Sequence, residues 1–243
     1  MPEHHVQVRG NGRFALSRPA SDLGLTVCRL LWAHAAAPFD PVVHLAALAE
    51  ISRTSPEYQG HGWGCAWLEQ GQWRVYRDIR PIWEDDLGGF PETTLLVGHA
   101  RSAFRDEGIM IENNMPFFDG EKIFIFNGEL QGVRIREHGR IGAEKVFNYL
   151  KRFDQGGRLA GVRRGIEVIE KRSRYVRALN LVVADSQSSI LASLFNENPG
   201  YFQMHRGRVG HVDVACSQPY PDHGEWQAIP NRSVIALQGP EQC

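Results

Sequence analysis

The sequence predicts an α+β fold in which helices cover antiparallel sheets. Apolar segments rich in β-branched residues occur in runs joined by short turns, which favours antiparallel pairing over βαβ units. Two amphipathic helical segments follow one another between two groups of strands, an order that suits a layered domain. The 243 residues are enough for one large domain or two small ones.

Composition and charge argue against several classes of function. The formal net charge of -1 gives no field that would favour nucleic acid or an anionic membrane. No apolar stretch is long enough to cross a bilayer, and residues 1–26 lack the apolar segment of a secretory signal, so we expect a cytoplasmic protein. The cysteines form no CxxC pair, which makes a thioredoxin-type redox motif or a zinc knot a poor interpretation.

The first half of the chain is predicted to hold one helix among several strands. Residues 1–27 have little periodicity and several breakers, and we interpret them as a leader before a single domain, 28–243. The segment VCRLLWAHA is typical of a buried strand, and a helix follows it with Asp40 as N-cap and Pro41 at its first position. The apolar face of this helix is predicted to consist of Val42, Leu45, Ala46, Leu48 and Ala49.

Strands and loops fill the next part of the sequence. A glycine-rich loop leads into a hairpin that turns at Gln70-Gly71. The strand TTLLVGHA follows a polar loop, and a second long loop, 101–121, precedes the strand KIFIFNGEL, which we expect to end at Asn127-Gly128. The helices GAEKVFNYLKRF and RLAGVRRGIEVIEKR come next, and the remainder is predicted to be strands: ALNLVVAD, SILASLFN, YFQMHRG, HVDVACS and RSVIALQ.

Three clusters contain residues suited to chemistry: Cys28, the pair His99 and Arg101, and Asn127-Gly128. Singly, each has a plainer interpretation, because a strand cysteine is usually core, a strand-end arginine is usually solvated and Asn-Gly is usually a turn. Together they match the needs of an amide hydrolase, with a thiol nucleophile, an oxyanion hole from amide N–H groups and a guanidinium for a substrate carboxylate. The general base is missing from this set.

The ordered motifs resemble those of class II glutamine amidotransferases, in the N-terminal-nucleophile hydrolase superfamily. CRLLWAHA resembles the opening Cys-Arg/Glu-Leu segment, GHGWGCAWLEQGQWRVYRD the Gly-Trp-Gly hairpin, and VGHARSA the His-x-Arg strand end. ENNMPF and FIFNGEL resemble the Asn-x-x-Pro-Phe loop and the Asn-Gly oxyanion turn. The match runs from Cys28 nearly to the end and is most similar to small stand-alone members, including the type that hydrolyses a γ-glutamyl amide in ergothioneine assembly.

The resemblance implies a four-layer αββα sandwich and supplies the missing base. In this family the nucleophilic cysteine is the first residue of the mature chain, and its α-amine accepts the thiol proton; the two groups titrate near ~8 and ~8.5. Cys28 is then the nucleophile, and Asn127 and Gly128 stabilise the oxyanion. Four residues are implied to contact substrate: Trp63, His99, Arg101 and Phe104. No cofactor or metal is implied, and the partners are a small-molecule amide and a possible ammonia-accepting synthase subunit.

Residues 1–27 conflict with this mechanism, because the nitrogen of an internal Cys28 is an amide and not a base. Either residues 1–27 are a propeptide that is cut, or Val27 stands where translation starts at a GTG codon and the initiator methionine is removed. We favour the second explanation because the family pattern begins Met-Cys where this chain has Val27-Cys28.

Two departures from the family pattern bear on the substrate. Phe104 stands where glutamine-using members often have Thr or Ser, and Gly142 aligns with an Asp that holds the substrate α-amine. Met115 replaces a histidine, with no evident consequence. We therefore expect free glutamine to be a poor substrate. The preferred substrate is then either an amide with a blocked or absent α-amine or one with a bulkier group that stacks on Phe104.

A different class of function, a catalytically inactive ligand- or partner-binding module on the same scaffold, is the alternative. The uncut leader and the changes at Phe104 and Gly142 favour it. A metal site is a weaker hypothesis, because the candidate histidines share no ligand spacing: His34, His44, His61 and His99.

Overall fold

The computed structural model describes residues 27–103, 107–153, 157–221 and 223–238. The strands are β1 (Arg29–Phe39), β2 (Trp63–Glu69), β3 (Gln72–Asp78), β4 (Thr93–Ala100), β5 (Phe117–Phe118), β6 (Ile123–Gln131), β7 (Tyr175–Ala184), β8 (Ser189–Ser193), β9 (His205–Val209), β10 (Val212–Cys216), β11 (Trp226–Ala228) and β12 (Ser233–Gln238). The helices are α1 (Val42–Arg53), α2 (Gly142–Leu150), α3 (Arg158–Lys171) and the short α4 (Pro199–Phe202).

These strands form two antiparallel sheets, which confirms the predicted α+β class. The first sheet has seven strands in the order β11-β9-β10-β1-β4-β2-β3, and the second has five in the order β12-β8-β7-β6-β5. Neighbours such as β1 and β4 or β6 and β7 run in opposite directions. Hairpins join β2 to β3, β5 to β6, β7 to β8 and β9 to β10, so the runs of short strands in the sequence led to the right class.

The order of the layers follows from the core that each face of a strand packs into. Leu30 and Trp32 of β1 belong to the large core between the sheets, whereas Leu31 and Ala33 belong to the core under α1, because successive side chains of a strand point to opposite faces. The α2 and α3 helices cover the other face of the second sheet, where Phe147 stacks on Phe124 at 4.9 Å. The order is α1, first sheet, second sheet, α2 and α3, in agreement with the αββα sandwich.

Local signals in the sequence placed the first helix and the hairpin. Asp40 accepts a hydrogen bond from the Val42 N–H at 2.9 Å, but α1 begins at Val42 with Pro41 as its N-cap, one residue later than predicted. Gln70 and Gly71 both have positive φ, as the hairpin turn requires. The face of α1 is partly different from the prediction: Ala46 is exposed and His44 is buried. The histidine takes this place because its Nδ1 lies 3.1 Å from the Tyr220 hydroxyl.

The final third departs from the predicted strand pattern at one segment. YFQMHRG was expected to be a single strand, but its first two residues lie in α4, and β9 begins only at His205. Pro199 at the helix start explains the change, because proline has its φ fixed at a helical value and is favoured in a first turn. Within the described ranges, no helix has the length and apolar character needed to cross a membrane.

Candidate active site

Cys28 lies immediately before β1 and joins the two sheets. Its backbone N–H donates a hydrogen bond to Oδ1 of Asn127 at 3.0 Å. Asn127 belongs to β6 of the second sheet, and 99 positions separate the two residues in the chain. The fold therefore places the main-chain nitrogen of the candidate nucleophile directly on the amide of the candidate oxyanion donor.

The orientation of the Asn127 amide follows from this contact. Because Oδ1 accepts from Cys28, the Nδ2 group is directed elsewhere, and it has no hydrogen-bond partner among the described residues although it is buried. A buried donor without a partner carries a desolvation cost of about 1–3 kcal/mol. An oxygen atom placed at Nδ2 removes that cost, which is the property required of an oxyanion donor.

The prediction that the strand ends at Asn127-Gly128 is wrong. Strand β6 continues to Gln131, and Gly128 pairs with Leu179 of β7. The glycine is instead required by a close approach, since a Cβ at Gly128 would lie 2.1 Å from the Ala178 carbonyl oxygen. The two residues are thus held within a paired strand and not in a turn.

The Cys28 thiol is partly buried, and its Sγ lies 3.7 Å from the carbonyl oxygen of Ser102. Burial raises the pKa of this thiol, and the nearby guanidinium groups of Arg101 and Arg29 oppose the shift without cancelling it. A thiol with a raised pKa stays protonated near neutral pH and needs a base before it can attack. No such base is evident in the side chains named so far.

Arg101 follows β4 directly and is almost completely buried, at 6% exposure. Its Nη1 donates to Oδ1 of Asn114 at 3.1 Å, and Nδ2 of Asn114 in turn donates to the Asp78 carbonyl at 2.7 Å. No carboxylate among the described residues influences the Arg101 pKa, which burial lowers and the Cys28 sulfur raises. A buried guanidinium fixed on one side and lacking an anionic partner is suited to a carboxylate ligand.

Asn114 was not assigned a role from the sequence, although its loop was noted. The side chain is fully buried, and a Cβ at Gly62 would lie 2.1 Å from its Nδ2. Gly62 also has a φ of +108°, which favours glycine independently. The glycine before Trp63 therefore makes room for the amide that orients Arg101.

His99 is completely buried on β4, two residues before Arg101. Burial and the Arg101 charge lower the pKa of His99 to about 3. The ring is therefore neutral across the physiological pH range. A neutral buried ring is suited to packing and to shaping the pocket rather than to holding an anion.

This depressed pKa predicts how stability changes with pH. Since the unfolded chain takes up the His99 proton near pH ~6.5 and the folded chain only near about 3, the stabilisation is complete above ~6.5 and is lost as pH falls. Between about pH 7 and about pH 5 we expect this group alone to remove about 2 kcal/mol from the free energy of unfolding. Urea denaturation of the unmodified chain and of His99→Gln should show a smaller loss in the variant. NMR signals of the His99 ring that titrate near pH ~6 in the folded protein would contradict the prediction.

Trp63 and Phe104 are the remaining candidates for substrate contact. Trp63 has no exposed surface and belongs to the core under α1, on the face of the first sheet turned away from the second sheet. Its Nε1 donates to Asp85 at 3.0 Å, and its ring packs on Tyr76. In this environment Trp63 is a packing residue of the core under α1. Phe104 lies outside the described residues.

Two further buried polar side chains near Cys28, those of Gln59 and Arg29, were not predicted to belong to the site. Gln59 donates to the carbonyl oxygen of Val27 at 2.5 Å, and Arg29 stacks over the Tyr201 ring at 4.4 Å. Gln59 has no signal in the sequence, because it lies in an irregular loop. In the described ranges, no group of three or more His, Cys, Asp or Glu side chains is arranged to hold a metal ion.

The fold is that of class II glutamine amidotransferase domains, as comparison with solved structures shows. One is a glutamine aminotransferase class-II domain protein from Silicibacter pomeroyi, with a TM-score of 0.61 and 15% identity over 87% of this chain and 95% of that chain. Another is the glutamine phosphoribosylpyrophosphate amidotransferase of B. subtilis, with a TM-score of 0.58 and 14% identity over 89% of this chain and 50% of that one.

A predicted glutamine amidotransferase from Pseudomonas aeruginosa PA01 is also similar, with a TM-score of 0.53 and 15% identity over 87% of this chain and 98% of that chain. The chain thus spans nearly all of the two small proteins and about half of the B. subtilis enzyme. No protein-family model and no curated protein sequence matches it.

Proposed function

We propose that this protein is an amide hydrolase of the glutamine amidotransferase type, with the Cys28 thiol as nucleophile. The observation that carries the proposal is the contact of the Cys28 nitrogen with Oδ1 of Asn127, while the Asn127 Nδ2 donor is buried and has no partner among the described residues. The scaffold shared with glutamine amidotransferases supports the same assignment.

The reaction begins with transfer of the Cys28 thiol proton to a base, and Sγ then attacks the carbonyl carbon of a side-chain amide. Negative charge develops on the amide oxygen, and the Nδ2 group of Asn127 and the N–H of Gly128 stabilise it. The C–N bond breaks as the leaving nitrogen takes up the proton, giving ammonia or an amine and a thioester on Cys28. Water hydrolyses the thioester, releases the acid and restores the thiol.

The base in this proposal is the α-amine of Cys28, which exists only when the chain begins at that residue. Burial raises the pKa of the thiol, so ionisation without a neighbouring base is unfavourable. The Asn127 Oδ1 that accepts from the peptide N–H would accept equally from an amine. The position of the nitrogen is therefore already suited to the base, and loss of residues 1–27 changes its chemistry rather than its place.

The substrate side of the proposal rests on the charges near Arg101. Its guanidinium has no carboxylate partner among the described residues, whereas the position aligned with an amine-binding Asp is Gly142, the first residue of α2. The nearest carboxylate on that helix, Glu144, is paired with Arg140, and this pairing lowers its pKa. The substrate is thus an amide that carries a carboxylate and no free α-ammonium group.

The deciding experiment determines both the N-terminal residue of the native protein and its amide-hydrolysing activity. Protein purified from its native host should have an intact mass that begins at Cys28, and it should hydrolyse γ-glutamyl amides with a blocked α-amine faster than glutamine. A native chain that retains residues 1–27 and still hydrolyses amides would overturn the α-amine mechanism. A native chain that begins at Cys28 and hydrolyses no amide would favour the alternative, a ligand-binding module. The burial of Val27 in the uncut chain is consistent with that alternative.

Arg101→Ala in the chain that begins at Cys28 should raise KM by about 10- to 100-fold with a smaller change in kcat. The reason is that a charge-assisted hydrogen bond to a substrate carboxylate is worth about 1.5–3 kcal/mol in binding. Steady-state kinetics with one blocked γ-glutamyl amide measures both constants. Arg77→Ala is the matched control, because the side chain of Arg77, on β3, donates a hydrogen bond to the Pro116 carbonyl at 2.9 Å. Unchanged kinetics in Arg101→Ala would remove this residue from the site.

A further inference from the structure

Val27, the residue before Cys28, is buried in a small apolar cluster of its own. Its side chain is 1% exposed and packs with Ala178, Phe195 and Phe202 in a cluster separate from the two large cores. Tyr201 packs against the same cluster. We call the surrounding residues, Gln59, Ala178, Phe195, Tyr201 and Phe202, the residue-27 cradle.

The cradle binds the main chain of Val27 as well as its side chain. Nε2 of Gln59 donates to the Val27 carbonyl at 2.5 Å and lies 3.5 Å from the Tyr201 hydroxyl. Gln59 has no exposed surface, and its Oε1 has no hydrogen-bond partner in the described ranges. The cradle thus offers an apolar wall, a fixed donor for an oxygen and an unused acceptor.

A positive charge borders the residue-27 cradle. Arg29 is 3% exposed and stacks over Tyr201, and its Nη2 donates to Ser55 at 3.0 Å. No carboxylate in the described part of the chain contributes to its pKa, which burial lowers. Its Nε is buried and unpartnered among those residues. A buried cation without a counter-ion stabilises an anion brought close to it.

We propose that the residue-27 cradle is a binding site for a short aliphatic carboxylate once Val27 has left it. The branched chain of the ligand fills the wall of Ala178, Phe195 and Phe202, and one carboxylate oxygen takes the place of the Val27 carbonyl on Gln59. Binding rests on the proposed function in one respect, that the mature chain begins at Cys28, and inhibition rests also on the α-amine as the base. The bound acid then lies beside the new α-ammonium of Cys28, pairs with it and withdraws it from its role as base, so the ligand acts as an inhibitor.

Two preparations of the protein test the site. One is the full chain with an intact Val27–Cys28 bond, verified by mass, in which the cradle is filled; the other begins at Cys28 after removal of an initiator methionine. The second keeps every strand of both sheets, because β1 starts at Arg29. The probe is N-acetyl-valine, which carries the side chain and carbonyl of Val27, and isothermal titration calorimetry measures binding without any turnover.

We expect saturable binding to the chain that begins at Cys28 and binding at least about tenfold weaker to the full chain. Gln59→Met, which keeps the length of the side chain and removes the donor, should weaken binding by about tenfold or more. If that variant does not fold, N-acetyl-valine and N-acetyl-aspartate compared on the unmutated chain give the same information, since only the aliphatic acid fits the apolar wall.

The two possible sources of such an acid are distinguished by a second probe, 3-methylbutanoate. Binding of N-acetyl-valine alone identifies a peptide end, such as a released leader, as the ligand, and binding of both identifies any short aliphatic acid. Absence of binding to the chain that begins at Cys28, or equal binding to both preparations, would overturn the proposal. A chain that binds the probe but hydrolyses no amide would leave the cradle standing and reject the proposed function.

Discussion

Replacing Cys28 with alanine in the chain that begins at this position should lower amide hydrolysis by about a thousandfold or more, because no other group can form the thioester. Alanine is small enough for the initiator methionine to be removed, so the α-amine, the oxyanion donors and Arg101 all remain. The experiment therefore isolates the sulfur. Initial rates with a blocked γ-glutamyl amide give the ratio, and mass spectrometry of the unmodified protein under turnover should detect the acyl adduct on Cys28.

Cys65 and Cys216 provide the matched controls for this variant. Both thiols are buried in the core under α1, whereas Cys28 is partly exposed and contacts Asn127, so neither control thiol is placed to act as the nucleophile. Cys65→Ala should retain nearly the full rate, and iodoacetamide should alkylate Cys28 well before either buried thiol. A Cys28→Ala protein that retains most of its activity would reject the mechanism, whatever the behaviour of the controls.

The layered fold could be predicted because its signals are local. Asp40 accepts a hydrogen bond from the Val42 N–H just before α1, and Gln70-Gly71 closes a hairpin between adjacent segments. Such interactions are decided within a few residues of the chain, so pattern and turn chemistry identify them. The order of strands within each sheet was not predictable in this way, because β1 lies between β4 and β10, which are distant in sequence.

The face on which a side chain lies was harder to predict, as Trp63 illustrates. Alternation places Trp63 and Cys65 on one side of β2 and Gly64 and Ala66 on the other. Since helices cover one side of this sheet and the second sheet covers the other, both faces are apolar, and the sequence does not distinguish them. The motif around Trp63 therefore indicated the right strand, while the structure turns its ring away from Cys28.

The sequence also did not allow us to predict which buried polar side chains have hydrogen-bond partners. Asn127 and Asn180 are both strand asparagines, and they pair directly across β6 and β7. Nδ2 of Asn180 donates to the Phe202 carbonyl at 2.7 Å, and its Oδ1 accepts from the Leu194 N–H at 3.2 Å. Among the described residues, the side chain of Asn127 forms a hydrogen bond only through its oxygen. The difference arises from partners far away in the chain, so only the folded structure separates a structural asparagine from a candidate catalytic one.

This difference leads to the prediction with the second largest effect. Asn127→Asp in the chain that begins at Cys28 should lower kcat by about 100- to 1000-fold with little change in KM, because an acceptor replaces the Nδ2 donor at the place where negative charge develops in the proposed mechanism. The matched control is Asn180→Asp, which makes the same chemical change on the facing residue and removes the bond to Phe202. We expect it to cost about 1–3 kcal/mol of unfolding free energy and to leave kcat nearly unchanged in the folded fraction. Chemical denaturation and steady-state kinetics on both variants separate the two effects. An Asn127→Asp protein with normal kcat and a stability loss like that of Asn180→Asp would show that Asn127 holds the sheets together and takes no part in catalysis.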